Sequence, residues 1–237
     1  MDWLRFMRNA LIVGLAAGGP ATTPASAQQS EQKADKKETP SGRPLRAADS
    51  DSPLPEGWPD ATAPEKIEVK SYPAYRSAVA QAKGASTRAD GILFFSLFNH
   101  ISKNGIEMTA PVVNTYRSPE IVETRGGTGE MTMEFLYRST KQGQAGKGVG
   151  AVVVKDHPAA TFVCLGLIGE MSDTAMRDGM EKLRGWLSDH KDRWIQDGPP
   201  RRLGYHGPMT PTADRRWEVQ IPIRQAGADP AVRGAAK

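Results

Sequence analysis

The chain repeats one of its own segments, and this repeat limits its fold more than any other feature. Residues 67–84 read IEVKSYPAYRSAVAQAKG, and 85 positions later residues 152–169 read VVVKDHPAATFVCLGLIG. Five of the eighteen aligned positions are identical. In both copies an alternating β-type run meets a proline, which cannot donate to a central sheet ladder. Each copy therefore predicts two strands joined by a turn or bulge.

A helix is predicted after each copy of the segment. The first is capped by Asp90 and closed by Gly105, and the second begins at Ser172 or Asp173 and ends near His190. Two extended runs follow each helix, at 112–117 and 131–138 in the first half and at 203–205 and 217–223 in the second. The apolar helical positions are Phe94, Leu97, Phe98 and Ile101, then Met176, Met180, Leu183 and Leu187.

The order strand, strand, helix, strand, strand thus occurs twice. It predicts an α+β fold, a distorted antiparallel β-barrel or sheet made of two repeated ββαββ units with two helices. A pseudo-twofold arrangement leaves a cleft between the halves, which is a common place for a ligand. The glycine-rich loops at 125–129 and 141–150 lack the spacing of phosphate-binding loops and are predicted to be hairpin connections.

The first 27 residues have the pattern of a signal peptide. Arg5 and Arg8 precede a short apolar run at 11–19, and Ala25-Ser26-Ala27 is a small-x-small cleavage site. The run is shorter than the roughly 20 apolar residues of a membrane span. We therefore predict export, to a periplasmic or secreted location, without stable membrane insertion.

Composition divides the remaining chain. Residues 28–63 are polar and predict a disordered linker in which Trp58 docks on the domain edge, residues 64–224 form one domain, and 225–237 are a flexible tail.

The net charge of +4 falls to about +3 without the signal peptide, which is too small to indicate nucleic acid. The single cysteine, Cys164, lies in an apolar run and is predicted to be a buried hydrophobic residue. A monomer is expected.

Three runs together resemble the signature segments of the SOUL haem-binding family. They are IEVKSYPAYRSA, GIEMTAPV at 105–112 and GYHGPMTPTADRRWEVQIPI at 204–223, and the likeness extends over residues 65–224. The resemblance implies a distorted barrel of two ββαββ units and binding of haem or another tetrapyrrole. The chain is also similar, more distantly, to the effector-binding domains of multidrug-sensing transcription regulators, although no helix-turn-helix is visible.

A tetrapyrrole is broad, flat and apolar with carboxylates on one edge, so its site needs an apolar wall and cations at the rim. Methionine suits such a wall because it is flexible and polarizable. Met176 and Met180 have the alternative of filling the core of the second helix. The predicted contact residues are Met108, Met209, His206, Arg215, Arg216, Tyr72, Met176 and Met180.

No residue is fixed as an axial ligand of haem iron. The first strand offers Ser71 and Tyr72 but no histidine, and His206 is the best-placed histidine because it lies in a signature loop. His100, His157 and His190 are predicted at surface or cap positions. Binding through apolar contact without a protein axial ligand is the simpler hypothesis, and no separate metal site is predicted.

Catalytic motifs are missing from the sequence, so we predict a carrier or buffer and not an enzyme. Glu107 and Glu218 flank two signature runs. They either face one cavity, as an acid pair or a site for cationic ligands, or each pairs with a neighbouring arginine. The first option supports the alternative function, a periplasmic binder of amphipathic cationic small molecules.

Overall fold

A computed structural model describes residues 50–85, 89–118, 120–124 and 127–227. The predicted signal peptide, residues 28–49 of the predicted linker and most of the predicted tail lie outside these ranges. The strands are β1 (Ile67–Tyr72), β2 (Tyr75–Ala85), β3 (Val112–Tyr116), β4 (Gly129–Leu136), β5 (Gly146–Lys147), β6 (Val153–His157), β7 (Ala160–Ile168), β8 (Trp194–Gln196), β9 (Arg201–Gly204) and β10 (Arg216–Gln225). The helices are α1 (Asp90–Lys103), the short α2 (Glu120–Glu123), α3 (Asp173–Asp189) and the 3-10 turn Thr212–Asp214.

The strands form one antiparallel sheet in the order β1-β7-β10-β9-β3-β4-β2-β6-β5, with β8 pairing the end of β10. The middle of the sheet is the pairing of β9 with β3, in which Asn114 lies opposite Arg202. Tyr72 lies opposite Ala160 between β1 and β7, and Tyr75 lies opposite His157 between β2 and β6. In the sequence repeat, Tyr72 corresponds to His157 and Tyr75 corresponds to Ala160, so the two pairs are the same contact made from opposite halves. The predicted α+β fold of two ββαββ units is therefore confirmed, with each half pairing its first strand to the other half's second strand.

The main hydrophobic core lies between the helices and one face of the sheet. On β10, Trp217, Val219 and Ile221 point to this helix face, as alternate strand residues must. The Ser172 hydroxyl caps α3 by accepting a hydrogen bond from the Ala175 N–H at 3.2 Å. Among the described residues no helix is long and apolar enough to cross a membrane.

The opposite face of the sheet is covered by residues 50–64, which we call the strap. Leu54, Trp58 and Ala61 are buried there. Where the strap meets β7, the Glu65 N–H donates to the Gly166 carbonyl at 2.8 Å, and a Cβ at Gly166 would stand 2.3 Å from strap carbonyl oxygens. Residues 50–63, which fall within the predicted linker, are therefore packed on the sheet, because a few well-placed apolar side chains and backbone hydrogen bonds hold a segment whose composition is mostly polar.

Candidate functional site

Polar side chains are buried across the strap face of the sheet. On β10, Glu218 and Gln220 alternate with the core residues of the helix face, and both are fully buried. Glu134 on β4 is also buried, and so is Arg201 on β9. Buried polar groups need hydrogen bonds and buried charges need a partner of opposite charge. Each of these side chains therefore requires partners from neighbouring strands or from the strap.

Glu218 is the most heavily bonded of these groups. Its carboxylate accepts hydrogen bonds from Lys70 Nζ at 3.0 Å, from the Thr62 backbone N–H of the strap and from Gln220. The Tyr72 hydroxyl lies 3.5 Å from the same carboxylate, and burial raises the pKa of that hydroxyl. Glu218 and Lys70 therefore form an ion pair that ties the strap to the sheet, so this cation partner is a lysine where the sequence offered an arginine.

Glu134 forms a second cluster on the other half of the sheet. It accepts a hydrogen bond from the Ser77 hydroxyl at 2.9 Å and lies 3.3 Å from His157 Nε2. The His157 ring stacks on Tyr75 with 4.4 Å between ring centroids. His157 is thus a half-buried member of this cluster, although the sequence predicted a surface or cap position.

Arg201 joins the two clusters. Its guanidinium carbon lies 3.6 Å from the centre of the Phe162 ring, and its Nε donates to Gln220 Oε1 at 2.8 Å. Its Nη1 lies 3.5 Å from the Tyr75 hydroxyl, whereas Nη2 has no hydrogen-bond partner among the described residues. A buried arginine stacked on aromatic rings gives this face an amphipathic floor.

The strap fills the space above this floor. The Trp58 ring contacts Tyr72 and Tyr75 edge to face, with centroid distances of 4.7 and 5.3 Å. The cleft predicted between the halves therefore has a polar floor and is occupied by the chain itself. It differs from the expected open apolar cleft because β-strand alternation, which buries the helix face, sends Glu218 and Arg201 to this side.

The outer face of α1 carries an open apolar surface. Ile92 and Phe95 are 74% and 63% exposed, respectively, and lie one turn apart. The same stripe continues through Asn99 to Lys103, both exposed. Phe95 and Lys103 are eight residues apart, which is about 12 Å along a helix. An apolar platform with a cation at one end therefore faces the solvent.

The predicted contact residues lie in three separate places. Met176 and Met180 are each 1% exposed in the helix-face core, and Met108 is half-buried beside that core. Tyr72 lies on the strap face, so the sheet separates it from the methionines of α3. Met209 is 67% exposed. The structure does not bring these side chains to one site, and their contact with a ligand stays a prediction.

The signature loop around Met209 is held by its own neighbours. Arg215 donates to the carbonyl oxygens of Pro208 and Thr210, both at 2.9 Å. His206 Nδ1 lies 3.7 Å from Asp51, and Arg216 is buried. Arg215 is therefore engaged in shaping the loop, and a ligand would have to compete with two backbone carbonyls for it.

The two helix histidines have different environments. His190 follows α3, and its Nδ1 donates to the Trp186 carbonyl at 2.7 Å, as expected for a cap position. His100 was predicted at the surface or a cap but is 3% exposed, because α1 buries Leu97, His100 and Ile101 together.

Glu107 is exposed whereas Glu218 is fully buried, so the two do not face one cavity. The described residues contain no cluster of His, Cys, Asp or Glu suited to a metal ion.

Three partly or fully buried histidines make stability pH-dependent. Burial lowers the pKa of His100, His157 and His206 below the ordinary value of about 6.5, and for His157 this outweighs the opposing charge of Glu134. The unfolded chain then binds more protons, so stability is retained above pH ~6.5 and is lost as the pH falls, by up to about 1.4 kcal/mol per pH unit for each histidine. Urea unfolding at several pH values measures this slope, which should be smaller in His157→Asn; an unchanged free energy between neutral and acidic pH contradicts it.

Known proteins resemble the chain in sequence and in fold. A sequence profile of the SOUL heme-binding protein family matches residues 60–222. No curated protein sequence matches the chain. The EcmrR C-terminal domain has a TM-score of 0.55 at 17% identity, over 68% of this chain and 98% of that one. In the EcmrR–DNA complex the same likeness covers 58% of the EcmrR chain. An uncharacterized conserved protein from Listeria innocua has a TM-score of 0.51 at 10% identity, over 68% and 93% of the two chains. At such identities the structural likeness concerns the fold alone.

Proposed function

Because the chain belongs to the SOUL heme-binding protein family, we propose that it binds haem or a related tetrapyrrole on the outer face of α1. The observation that carries this location is the exposure of Ile92 and Phe95, at 74% and 63%, on one helical stripe. Neighbouring large apolar side chains that stay in contact with water as one patch mark interaction sites, whereas single ones are common on protein surfaces. The cleft between the halves is a weaker candidate because Trp58 and the rest of the strap already occupy it.

The stripe fits the shape and charge of a tetrapyrrole. Ile92 and Phe95 supply an apolar surface for one face of the ring, and on the same helix the half-buried rings of Phe94 and Phe98 stack with centroids 6.3 Å apart. Lys103, which has no carboxylate partner among the described residues, stands where an edge carboxylate of the ligand can reach it. The apolar area buried in the complex would provide most of the affinity.

The stripe offers no axial ligand to iron. Its exposed members are Ile92, Phe95, Asn99 and Lys103, none of which is a usual haem ligand. We therefore propose binding through ring contact and charge, with similar affinity for hemin and for metal-free protoporphyrin IX. A single apolar face on an open surface suits reversible binding, and this supports the role of carrier or buffer that we propose in preference to an enzyme.

Export is the second part of the proposal. It is supported by the positive residues, the short apolar run and the small-x-small site within residues 1–27. A periplasmic or secreted carrier would need to release its ligand, which agrees with an open site. Fractionation of cells expressing the full chain, with N-terminal sequencing of the product, tests this part independently of ligand binding.

Titration of the purified full-length chain with hemin and protoporphyrin IX tests the binding site. We expect saturable binding that weakens about tenfold or more in the double variant Ile92→Ser/Phe95→Ser, because two apolar contacts are lost. Lys103→Gln should have a smaller effect that diminishes with added salt. Both variants change exposed side chains, so the fold should be retained, and circular dichroism verifies this.

Val153→Ser is the matched control, since Val153 is 41% exposed on β6 and points to the sheet face opposite α1, as its neighbours Val152 and Val154 lie in the helix-face core. It should bind both ligands like the parent chain. Equal affinity in the parent and the Ile92→Ser/Phe95→Ser variant would place the ligand elsewhere, and a lack of saturable binding to either ligand would contradict the function itself.

The alternative function, binding of amphipathic cations beside Glu218, has less support. The carboxylate already pairs with Lys70 at 3.0 Å, and the Thr62 N–H of the strap occupies another of its acceptor positions. A cation would have to displace both the strap and the lysine. Competition between a fluorescent aromatic cation and protoporphyrin IX separates the two functions, because mutual displacement requires one common site.

A further inference from the structure

A cavity of about 410 Å³ lies beside the C-terminal end of α1, on the side of the helix that faces the sheet. Ile106 and Val154 form its apolar wall. Its polar lining includes His100, Tyr137, Gln144 and Lys147, and no acidic side chain lines it. This volume is in the range of small-molecule sites. Neither the ring-binding stripe of α1 nor the strap face includes these residues.

The hydrogen bonds of His100 fix the position of its proton. The Val149 backbone N–H donates to His100 Nδ1 at 3.1 Å, so Nδ1 carries no hydrogen. A neutral imidazole then has its hydrogen on Nε2, which lies 2.8 Å from the Tyr137 hydroxyl oxygen. Burial also lowers the pKa of His100, which agrees with the neutral ring. The imidazole is therefore the donor and the Tyr137 oxygen the acceptor.

This assignment leaves the Tyr137 hydroxyl hydrogen without an acceptor among the described residues. Tyr137 is 2% exposed, and its hydroxyl makes no other hydrogen bond in the described part of the chain. Burial raises the pKa of the phenol, so it stays protonated and remains a donor. Buried hydroxyl groups normally donate a hydrogen bond, so this one is available to an acceptor that enters the cavity. A ligand acceptor group would complete it.

The side chains around the Tyr137 hydroxyl indicate that a ligand group accepting its hydrogen bond would be negatively charged. Lys147 is exposed at the rim and has no carboxylate partner among the described residues, and the Gln144 amide adds two N–H donors. Donors and a cation without any acidic lining favour an anion. The apolar wall of Ile106 and Val154 favours an organic body behind it.

We propose that this cavity binds a small organic carboxylate. The carboxylate group of the ligand accepts a hydrogen bond from the Tyr137 hydroxyl and interacts with Lys147, while the alkyl part of the ligand packs on Ile106 and Val154. Gly148 closes the cavity next to His100, and a Cβ there would stand 3.0 Å from the imidazole, so the wall leaves no room for a larger residue.

Butyrate, n-butanol and n-butylamine are matched probes for the full-length chain, observed through the imidazole ¹H–¹⁵N resonances of His100. We expect saturable binding of butyrate and weaker or no binding of the alcohol and the amine. Tyr137→Phe should lower the butyrate affinity about 10- to 100-fold, since one hydrogen bond to a charged group is lost. Lys147→Gln, an exposed change that leaves the fold intact, should lower it as well.

Tyr116→Phe is the matched control, because Tyr116 is also buried and its hydroxyl has no partner among the described residues. This variant should bind butyrate like the parent chain. The proposal is overturned by saturable butyrate binding that both Tyr137→Phe and Lys147→Gln leave unchanged, by tighter binding of butylamine, or by an absence of saturable butyrate binding. Hemin titration of the same variants should be unaffected, which keeps this site separate from the α1 stripe.

Discussion

Replacing Trp58 with alanine is expected to lower the free energy of unfolding by about 3–5 kcal/mol. The indole is 7% exposed and packs edge to face on Tyr72 and Tyr75, so its removal leaves a large cavity above a polar floor. It is also the largest side chain by which the strap holds the sheet. The strap should therefore become a site of proteolytic cleavage in the variant.

Urea unfolding measures the loss, and limited proteolysis locates it. Phe95→Ala is the matched control, because it also removes a large aromatic ring but from a position that is 63% exposed. Its cost should stay within about 0.5 kcal/mol. Equal unfolding midpoints for the Trp58 and Phe95 variants would contradict the role that we assign to the strap.

Replacing Glu218 with alanine is expected to lower the free energy of unfolding by a similar amount, about 3–5 kcal/mol. The change takes from the largely buried ammonium of Lys70 its carboxylate partner at 3.0 Å, leaving it only the exposed Glu68 at 3.7 Å and the Asp60 carbonyl, and it removes the acceptor of the Thr62 N–H. Glu218→Gln should cost less, since the amide oxygen can still accept one of these hydrogen bonds. Urea unfolding of both variants gives the two values.

A double-mutant cycle with Lys70→Met isolates the ion pair. The double variant Glu218→Ala/Lys70→Met should be more stable than Glu218→Ala alone, because no unpaired charge remains buried. Lys182→Ala is the control for an exposed pair: Lys182 and its partner Glu65 are 53% and 66% exposed, so less than about 1 kcal/mol is expected. A cost for Glu218→Ala as small as this would show that the buried pair is not holding the strap.

The repeated unit could be predicted because its signals are local. Alternation around Pro73 and Pro158 marks strands, and helical spacing after each copy marks α1 and α3, so element type follows from residues close in sequence. The face that α1 buries differs from the predicted one. Its buried residues are Leu93, Leu97, His100 and Ile101, whereas the predicted apolar face runs through Phe94 and Phe98, and His100 was assigned to the surface because it lies off that face.

The strap face could not be predicted because its contacts are long-range. Glu218 and Gln220 alternate with apolar residues, and this pattern is typical of a strand with one solvated face. Among the residues that the structure describes, it is the strap, more than 150 positions earlier in the chain, that covers that face. Likewise Tyr137, His100 and Lys147 come together through tertiary packing, so no spacing in the sequence indicated the cavity that they line.

The crossed pairing of β1 with β7 and β6 with β2 has a consequence for the origin of the fold. A polypeptide with one ββαββ unit lacks the neighbour that its second strand requires, and two identical copies could supply it to each other by reciprocal exchange. Such a homodimer would be isologous, with its twofold axis at the position now held by Asn114 and Arg202. Gene duplication and fusion would convert that concentration-dependent assembly into a fold made within one chain, which forms at any dilution, and would free its two halves to diverge.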